Sequence, residues 1–231
     1  DVMDKAELRR GRPTVHVKWN ENTAILSGDQ MLIEAYKLLA GVAEDKLSQT
    51  LAMFNKMATE ICEGQQYDVD FESQEHVAID EYLKMIRLKT SVLLATALQT
   101  GAYIAGADLQ AQQALYAFGI HIGLAFQIQD DILDCWSDLE VFGKITGKDI
   151  VDNKKTFLYL KGLEIGSERQ QNILKELYSS KNFESTQKEQ VVKSIYEELK
   201  IKELAQKEMQ YYHNLALESL DKIKIDNERK E

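Results

Sequence analysis

Apolar residues in this chain recur at intervals of three and four, the spacing of one face of an α-helix. Between Thr23 and Leu39 they fall at Ile25, Leu26, Leu32, Ile33, Tyr36 and Leu39. Between Lys46 and Ile61 they fall at Leu47, Leu51, Phe54, Met57 and Ile61. The pattern predicts a helix over each stretch, and a connection where Gly64, Asp68, Asp70 and Ser73 interrupt it. Ile79–Thr100 and Gln110–Trp136 read as longer helices, apolar around much of their circumference, which places them inside a bundle. Gly143 and Gly147 among Lys and Asp mark residues 139–153 as a loop. A helix returns over Lys154–Leu163, and Gly166-Ser167 is a turn. From Ser185 onward, Glu/Lys-rich surface helices carry apolar residues at Val191, Ile195, Leu199, Leu204, Tyr211 and Leu215. No stretch alternates with the period of a strand, and no repeat has a fixed period. The predicted fold class is all-α.

Composition narrows the function. The 231 residues, 44% hydrophobic, suffice for one domain or two small ones with a substantial core. One Pro and 12 Gly argue against a turn-rich β-sandwich. With 28 basic against 38 acidic residues, the net charge of −10 disfavours nucleic acid as a partner. Cys62 and Cys135 form no CxxC pair, and His16, His76, His121 and His213 have no zinc-ligand spacing. A reducing, cytoplasmic setting is the expectation. The longest apolar stretch, Leu115–Ile128, contains His121 and Gln127 and is short for a bilayer, so no integral membrane segment is expected. The chain begins at Asp1, inside what reads as an element, and ends in a charged run, as part of a longer protein would.

The most informative segment is Phe126-Gln127-Ile128-Gln129-Asp130-Asp131-Ile132-Leu133-Asp134. On a helix, Asp130 and Asp134 stand one turn apart and about 40° around the axis. Like charges so close repel, and a buried cluster of them requires a cation. Carboxylate oxygens suit Mg²⁺, which keeps several waters and is completed by phosphates. The competing reading is a solvated acidic face; the apolar run before the motif argues against it. Asp1 and Asp4, followed by Leu8-Arg9-Arg10-Gly11-Arg12-Pro13, could hold one polyanion from two sides, metal on one and guanidinium on the other, or form a solvated loop. Lys89-Thr90 in an apolar helix calls for an anionic partner. Lys154-Lys155-Thr156 adds a second basic segment, and for Lys144 and Lys148 solvation is the ordinary reading.

In this order, the segments resemble the trans-isoprenyl diphosphate synthases, the family of farnesyl and geranylgeranyl diphosphate synthases. Asp1-Val2-Met3-Asp4 through Leu8-Arg9-Arg10-Gly11 is similar to the first DDxxD and its LRRG, less the leading Asp. Gly64-Gln65 with Asp68 is similar to GQxxD, Lys89-Thr90 to the KT pair, and Phe126–Asp134 to FQxxDDxxD. Gly143-Lys144 and Lys154 match the lysines of the following loop. The resemblance covers Asp1 to about Leu163. It implies a bundle of long helices around a deep central cavity, a homodimer, and head-to-tail condensation of isopentenyl diphosphate with an allylic prenyl diphosphate. About three Mg²⁺ per site are implied. Asp4 and the motif's leading Asp, which would precede Asp1, would hold two of them, with Asp1 supporting. Asp130 would hold the third, with Asp131 and Asp134 acting through its waters and Asp68 in the water shell opposite. Arg9, Lys89 and Lys144 would grip the allylic diphosphate and Arg10 the isopentenyl diphosphate, with Gln65 and Lys154 also binding substrate. Thr90, the Lys89 carbonyl and Gln127 would face the allylic cation.

Some of the family pattern is missing. The GKxxRP motif and the helices preceding the first aspartate motif belong upstream of Asp1, and the basic C-terminal end is absent, so residues 1–231 read as one prenyltransferase domain lacking both ends. The uninterrupted spacing from Asp4 to Arg9 argues against the farnesyl synthases with a two-residue insertion, and Gln129 leans towards short products. The rival readings are a class I terpene cyclase, disfavoured by the second DDxxD and the LRRG, and a non-catalytic helical subunit, which tends to lose one aspartate motif.

Overall fold

The computed structural model describes residues 2–3, 5–137, 147–179 and 183–223. Asp1, Asp4 and Lys144 lie outside the described residues. The first element is a small hairpin, β1 (Leu8–Arg9) against β2 (Arg12–Pro13), paired in the register Arg9 to Arg12. Its two-residue turn is Arg10-Gly11, with φ of 52° and 72°. Positive φ at both central positions is the turn geometry that matches strand twist. Buried Thr14 closes the hairpin, its amide donating to the Glu7 carbonyl and its hydroxyl to that of Ala6.

Helices follow: α1 (Val15–Lys18), α2 (Glu21–Leu39), α3 (Glu44–Ser73) and α4 (Ile79–Ile86). A π turn over Arg87–Ser91 leads into α5 (Val92–Ile104), then α6 (Leu109–Trp136), α7 (Lys148–Val151), α8 (Phe157–Ile165), α9 (Glu168–Ser179), α10 (Ser185–Glu198) and α11 (Ile201–Asp221). Capping fixes several of these ends. Asn20 accepts from the Thr23 amide at 2.8 Å, and Asp108 from that of Ala111 at 2.7 Å, each cap worth about 1 kcal/mol. α5 ends in a Schellman motif: Gly106, at φ 81°, donates to the Tyr103 carbonyl, and Ala107 donates to that of Ala102.

Helix α6 packs along its length between α5 and α11. Gly119 and Gly123 permit the close approach on the α5 side: a Cβ at these positions would stand 2.4 Å from Ala95 Cα and 2.6 Å from Ser91 Cα. Val92, Ala95, Ile128, Leu124 and Ile132 fill this contact, and the core continues through Leu160, Leu174, Val192, Tyr196 and Ile201. Burial of each large side chain contributes roughly 1.5–3 kcal/mol. The interior placement expected for the two long helices holds on one side only. Leu93, Leu94 and Phe126 are exposed, and α2 buries no residue although Ile25, Leu26, Met31 and Leu32 line it.

The structure departs from the periodicity reading in several places, among them helix α7 within the stretch read as a loop. The connection expected across Gly64–Ser73 is absent, because α3 continues through it, supported by an i,i+4 bond from Gln66 to Asp70. The helix expected from Lys154 begins at Phe157, and the hairpin was not foreseen. Among the described residues no helix is long and apolar enough to cross a membrane.

The two cysteines are unpaired, Cys62 exposed and Cys135 buried. Burial pushes the Cys135 thiol up to about 12. A thiolate-directed reagent is therefore expected to label Cys62 alone in the native protein and both cysteines after denaturation. Native labelling of Cys135 at a comparable rate, read by peptide mass spectrometry, would contradict this packing.

Candidate active site

Helices α3, α4 and α6, the π turn and the α7–α8 connection meet at one pocket. Asp68, Phe71 and Glu72 enter from α3; Tyr82, Met85 and Ile86 from α4; Lys89 from the π turn. Gln127, Asp130 and Asp131 enter from α6, Asp149 from α7, and Lys154, Lys155 and Thr156 from the connection. The placement of Asp68 follows from Gly64 one helical turn earlier. Without a Cβ, Gly64 lies against the Lys89 backbone, and Asp68 Oδ2 then meets Lys89 Nζ at 2.6 Å. The π turn belongs to a class of local widening frequent at functional sites, and it carries both Lys89 and Thr90. The Thr90 hydroxyl donates to Gln127 Oε1 at 3.2 Å, joining the turn to α6.

The three aspartates of α6 occupy different surroundings. Asp130 is half-buried and lines the pocket. Asp131 is 3% exposed, and its Oδ2 accepts from the Tyr82 hydroxyl at 2.6 Å and the Phe157 amide at 3.2 Å. Asp134 is buried one turn further along. Its carboxylate accepts from the Asp149 amide at 3.1 Å and its carbonyl from that of Gly147 at 2.6 Å, so Asp134 fixes the start of α7. That helix presents Asp149, whose Oδ1 lies 4.0 Å from Lys154 Nζ.

Burial raises the Asp131 carboxyl well above the ordinary carboxylate range, and the Asp149 charge adds to the rise. Hydrogen bonds from Tyr82, the Phe157 amide and Gln127 pull the other way. Burial, then the Asp131 charge, raises the Tyr82 hydroxyl well above its ordinary value, which keeps it a donor. The pocket thus gathers five carboxylates and three lysines. Such a site favours a divalent cation on one wall and a polyanion on the other. Among the described residues no three His, Cys, Asp or Glu side chains converge on one metal position. The donor set fits Mg²⁺ held by one or two carboxylates, with water and phosphate oxygens completing its shell.

The sequence profile described as Polyprenyl synthetase matches residues 1–199. The chain belongs to the polyprenyl synthetase family. A geranylgeranyl diphosphate synthase of Methanosarcina mazei is 42% identical over 168 residues, 72% of this chain and 52% of that protein. A crystal structure of geranylgeranyl pyrophosphate synthase matches with a TM-score of 0.93 and 45% identity, over 99% of this chain and 71% of that one. The geranylgeranyl pyrophosphate synthase from Corynebacterium glutamicum, in complex with isoprenyl diphosphate and magnesium, matches at a TM-score of 0.88 and 27% identity, over 99% and 70% of the two chains. The chain spans about half the length of the curated relatives it matches.

Within this polyprenyl synthetase fold, Asp68, Lys89, Gln127, Asp130, Asp131 and Lys154 line one pocket, and Thr90 stands beside Gln127. Arg9 and Arg10 stand on the exposed hairpin. Gln65, beside Gly64 on α3, and Asp134, behind α7, do not line the pocket. Glu72, Tyr82 and Asp149 were not anticipated as site residues. Glu72 lies one turn beyond Asp68, and Tyr82 lies two turns before Lys89, so helical spacing carries a signal for both. Asp149 lies in the stretch read as a loop, for which spacing predicts no facing.

Proposed function

We propose that the protein joins isopentenyl diphosphate head to tail to an allylic prenyl diphosphate, giving a short-chain product such as farnesyl or geranylgeranyl diphosphate. The observation that carries this reading is the pocket itself, where Asp68 and Asp130 share one space with Lys89 and Lys154. Lys89 and Lys154 bind and orient the allylic diphosphate, Arg9 and Lys144 adding to the grip and Arg10 taking the second diphosphate. Asp130 and Asp68, backed by Asp131 and Asp134 and joined by Asp1 and Asp4, would hold about three Mg²⁺, which when bound offset the charge that grows on the leaving diphosphate. The Thr90 hydroxyl, the Lys89 carbonyl and the Gln127 amide oxygen face the allylic cation. Phe71, Met85 and Ile86 exclude water from it. The departing diphosphate then takes the proton lost from the new C–C unit.

Three further assignments accompany this reading. Residues 1–231 form one helical prenyltransferase domain, and a second copy covers the apolar side chains exposed on α2 and α5, giving a homodimer. The unpaired cysteines support a cytoplasmic setting. The test is chromatography of products made by the full-length protein from isopentenyl diphosphate with dimethylallyl, geranyl or farnesyl diphosphate. Elongated prenyl diphosphates are expected with Mg²⁺, and none after chelation. Unaltered primers in the presence of Mg²⁺, or equal yields with a chelator, would refute the proposal.

A further inference from the structure

The two lysines of the α7–α8 connection both border the pocket but turn their ammonium groups to different partners. Lys154 lies against Asp149 in the pocket. Lys155 Nζ instead reaches the C-terminal end of α3, 2.7 Å from the Phe71 carbonyl oxygen and in hydrogen-bond contact with that of Gln74. A helix end leaves its last carbonyls without amide partners, and its partial negative charge favours a cation. Burial lowers the Lys155 ammonium from its ordinary value, so this group has given up part of its hydration for those carbonyls.

The same connection is held from the opposite side. Lys188 of α10, only 4% exposed, donates to Asn153 Oδ1 at 2.5 Å and lies 3.4 Å from the Val151 carbonyl oxygen. Its ammonium stands 4.8 Å from the Tyr178 ring centre, within cation–π range. Asn153 has φ 61°, a left-handed position that reverses the chain immediately before Lys154. A buried ammonium needs such partners to be tolerated: Lys155 finds them at the end of α3, and Lys188 on Val151 and Asn153 just before Lys154.

We propose that Lys155 and Lys188 are positioning residues that clamp the α7–α8 connection between α3 and α10. The clamp holds Lys154 and Asp149 at a fixed distance from Asp68 and Lys89, the opposite wall of the pocket. It rests on the diphosphate reading above only for the identity of what Lys154 grips. The basic pair thereby divides its work: Lys154 serves the ligand, and Lys155 serves the helix that carries Asp68.

Two measurements on the full-length protein test this. The first is calorimetric binding of pyrophosphate with Mg²⁺ to Lys154→Met, Lys155→Met, their double variant and Lys155→Arg. Lys155→Met is expected to weaken binding about tenfold, and the double variant to bind no more weakly than Lys154→Met, as for residues acting through one contact. Lys155→Arg, which keeps a cation at the helix end, recovers wild-type binding to within about threefold. Losses that multiply in the double variant would give Lys155 a diphosphate contact of its own and overturn the proposal. The second is hydrogen exchange of amides 149–157 in the unliganded protein. Exchange about tenfold faster is expected in Lys155→Met and in Lys188→Met, and unchanged exchange overturns the clamp. Faster exchange in the variants of a wild-type protein that binds no pyrophosphate would support the clamp and reject the diphosphate reading.

Discussion

Asp130→Ala is expected to lower the proposed prenyl transfer by the full-length protein about 10²- to 10⁴-fold while leaving its melting temperature within a few degrees of wild type. The separation of the two readouts follows from the surroundings of the three α6 carboxylates. Asp130 faces the pocket beside Asp131, whose carboxyl already feels the charge of Asp149. Asp130 is only half-buried, and truncating a side chain outside the packed core costs the fold little. Under the proposed function, what is lost is an oxygen donor for Mg²⁺ and, with it, stabilisation of the leaving diphosphate. Asp131→Ala behaves in the opposite sense. It strands the buried Tyr82 hydroxyl and the Phe157 amide, at a cost of roughly 1–3 kcal/mol for a buried group left without a partner. Steady-state rates and thermal melts of the two variants, compared in one buffer with Mg²⁺, decide the matter. Transfer by Asp130→Ala within tenfold of wild type would remove Asp130 from the metal-binding wall.

The DDxxD spacing sets Asp130 and Asp134 one turn apart on a helix, and α6 carries them so. It does not state which of the motif's three carboxylates faces the pocket, since Tyr82 and Asp149, remote in sequence, engage the other two. The helices show a similar division. Gln110–Trp136 was legible to within a residue of α6, because a long apolar run with few breakers has one outcome. The π turn was invisible, because shifting the hydrogen bonds of a uniform apolar stretch by one residue leaves no trace in composition. A hairpin of two-residue strands has no alternation to detect, although Arg10-Gly11 carries a weak turn signal. For α2 the stripe of apolar residues predicted the helix correctly and said nothing of its partner; Tyr36 packs on Phe54 of α3, while no residue of α2 is buried. The misreading at Gly64 is the most instructive, because a local rule was applied where a tertiary contact governs.

Replacing Gly64 with Ala is expected to destabilise the protein by about 1–3 kcal/mol, the range for overpacking. For a chain of this size that is a fall in melting temperature of roughly 2–4 °C per kcal/mol. Helix propensity alone predicts the reverse, since Ala is favoured over Gly within a helix by about 1 kcal/mol. The contact decides the sign. A Cβ on residue 64 would stand 2.4 Å from the Lys89 amide nitrogen and 2.7 Å from the Leu88 carbonyl carbon. These are backbone atoms of the π turn, with no flexible side chain to swing aside, so relief requires α3 and the turn to separate. The Asp68–Lys89 pair, one helical turn along at 2.6 Å, opens with them, and prenyl transfer falls further than the loss of stability explains. Gly101 provides the internal comparison. It lies within α5 with nothing inside 4 Å of its Cβ position, so Gly101→Ala is expected to gain up to about 1 kcal/mol from propensity alone. Denaturant melts of both variants, read with their rates, separate the two effects. A Gly64→Ala protein as stable and as active as Gly101→Ala would show that α3 and the π turn can part without consequence, and that Gly64 does not hold Asp68 in place.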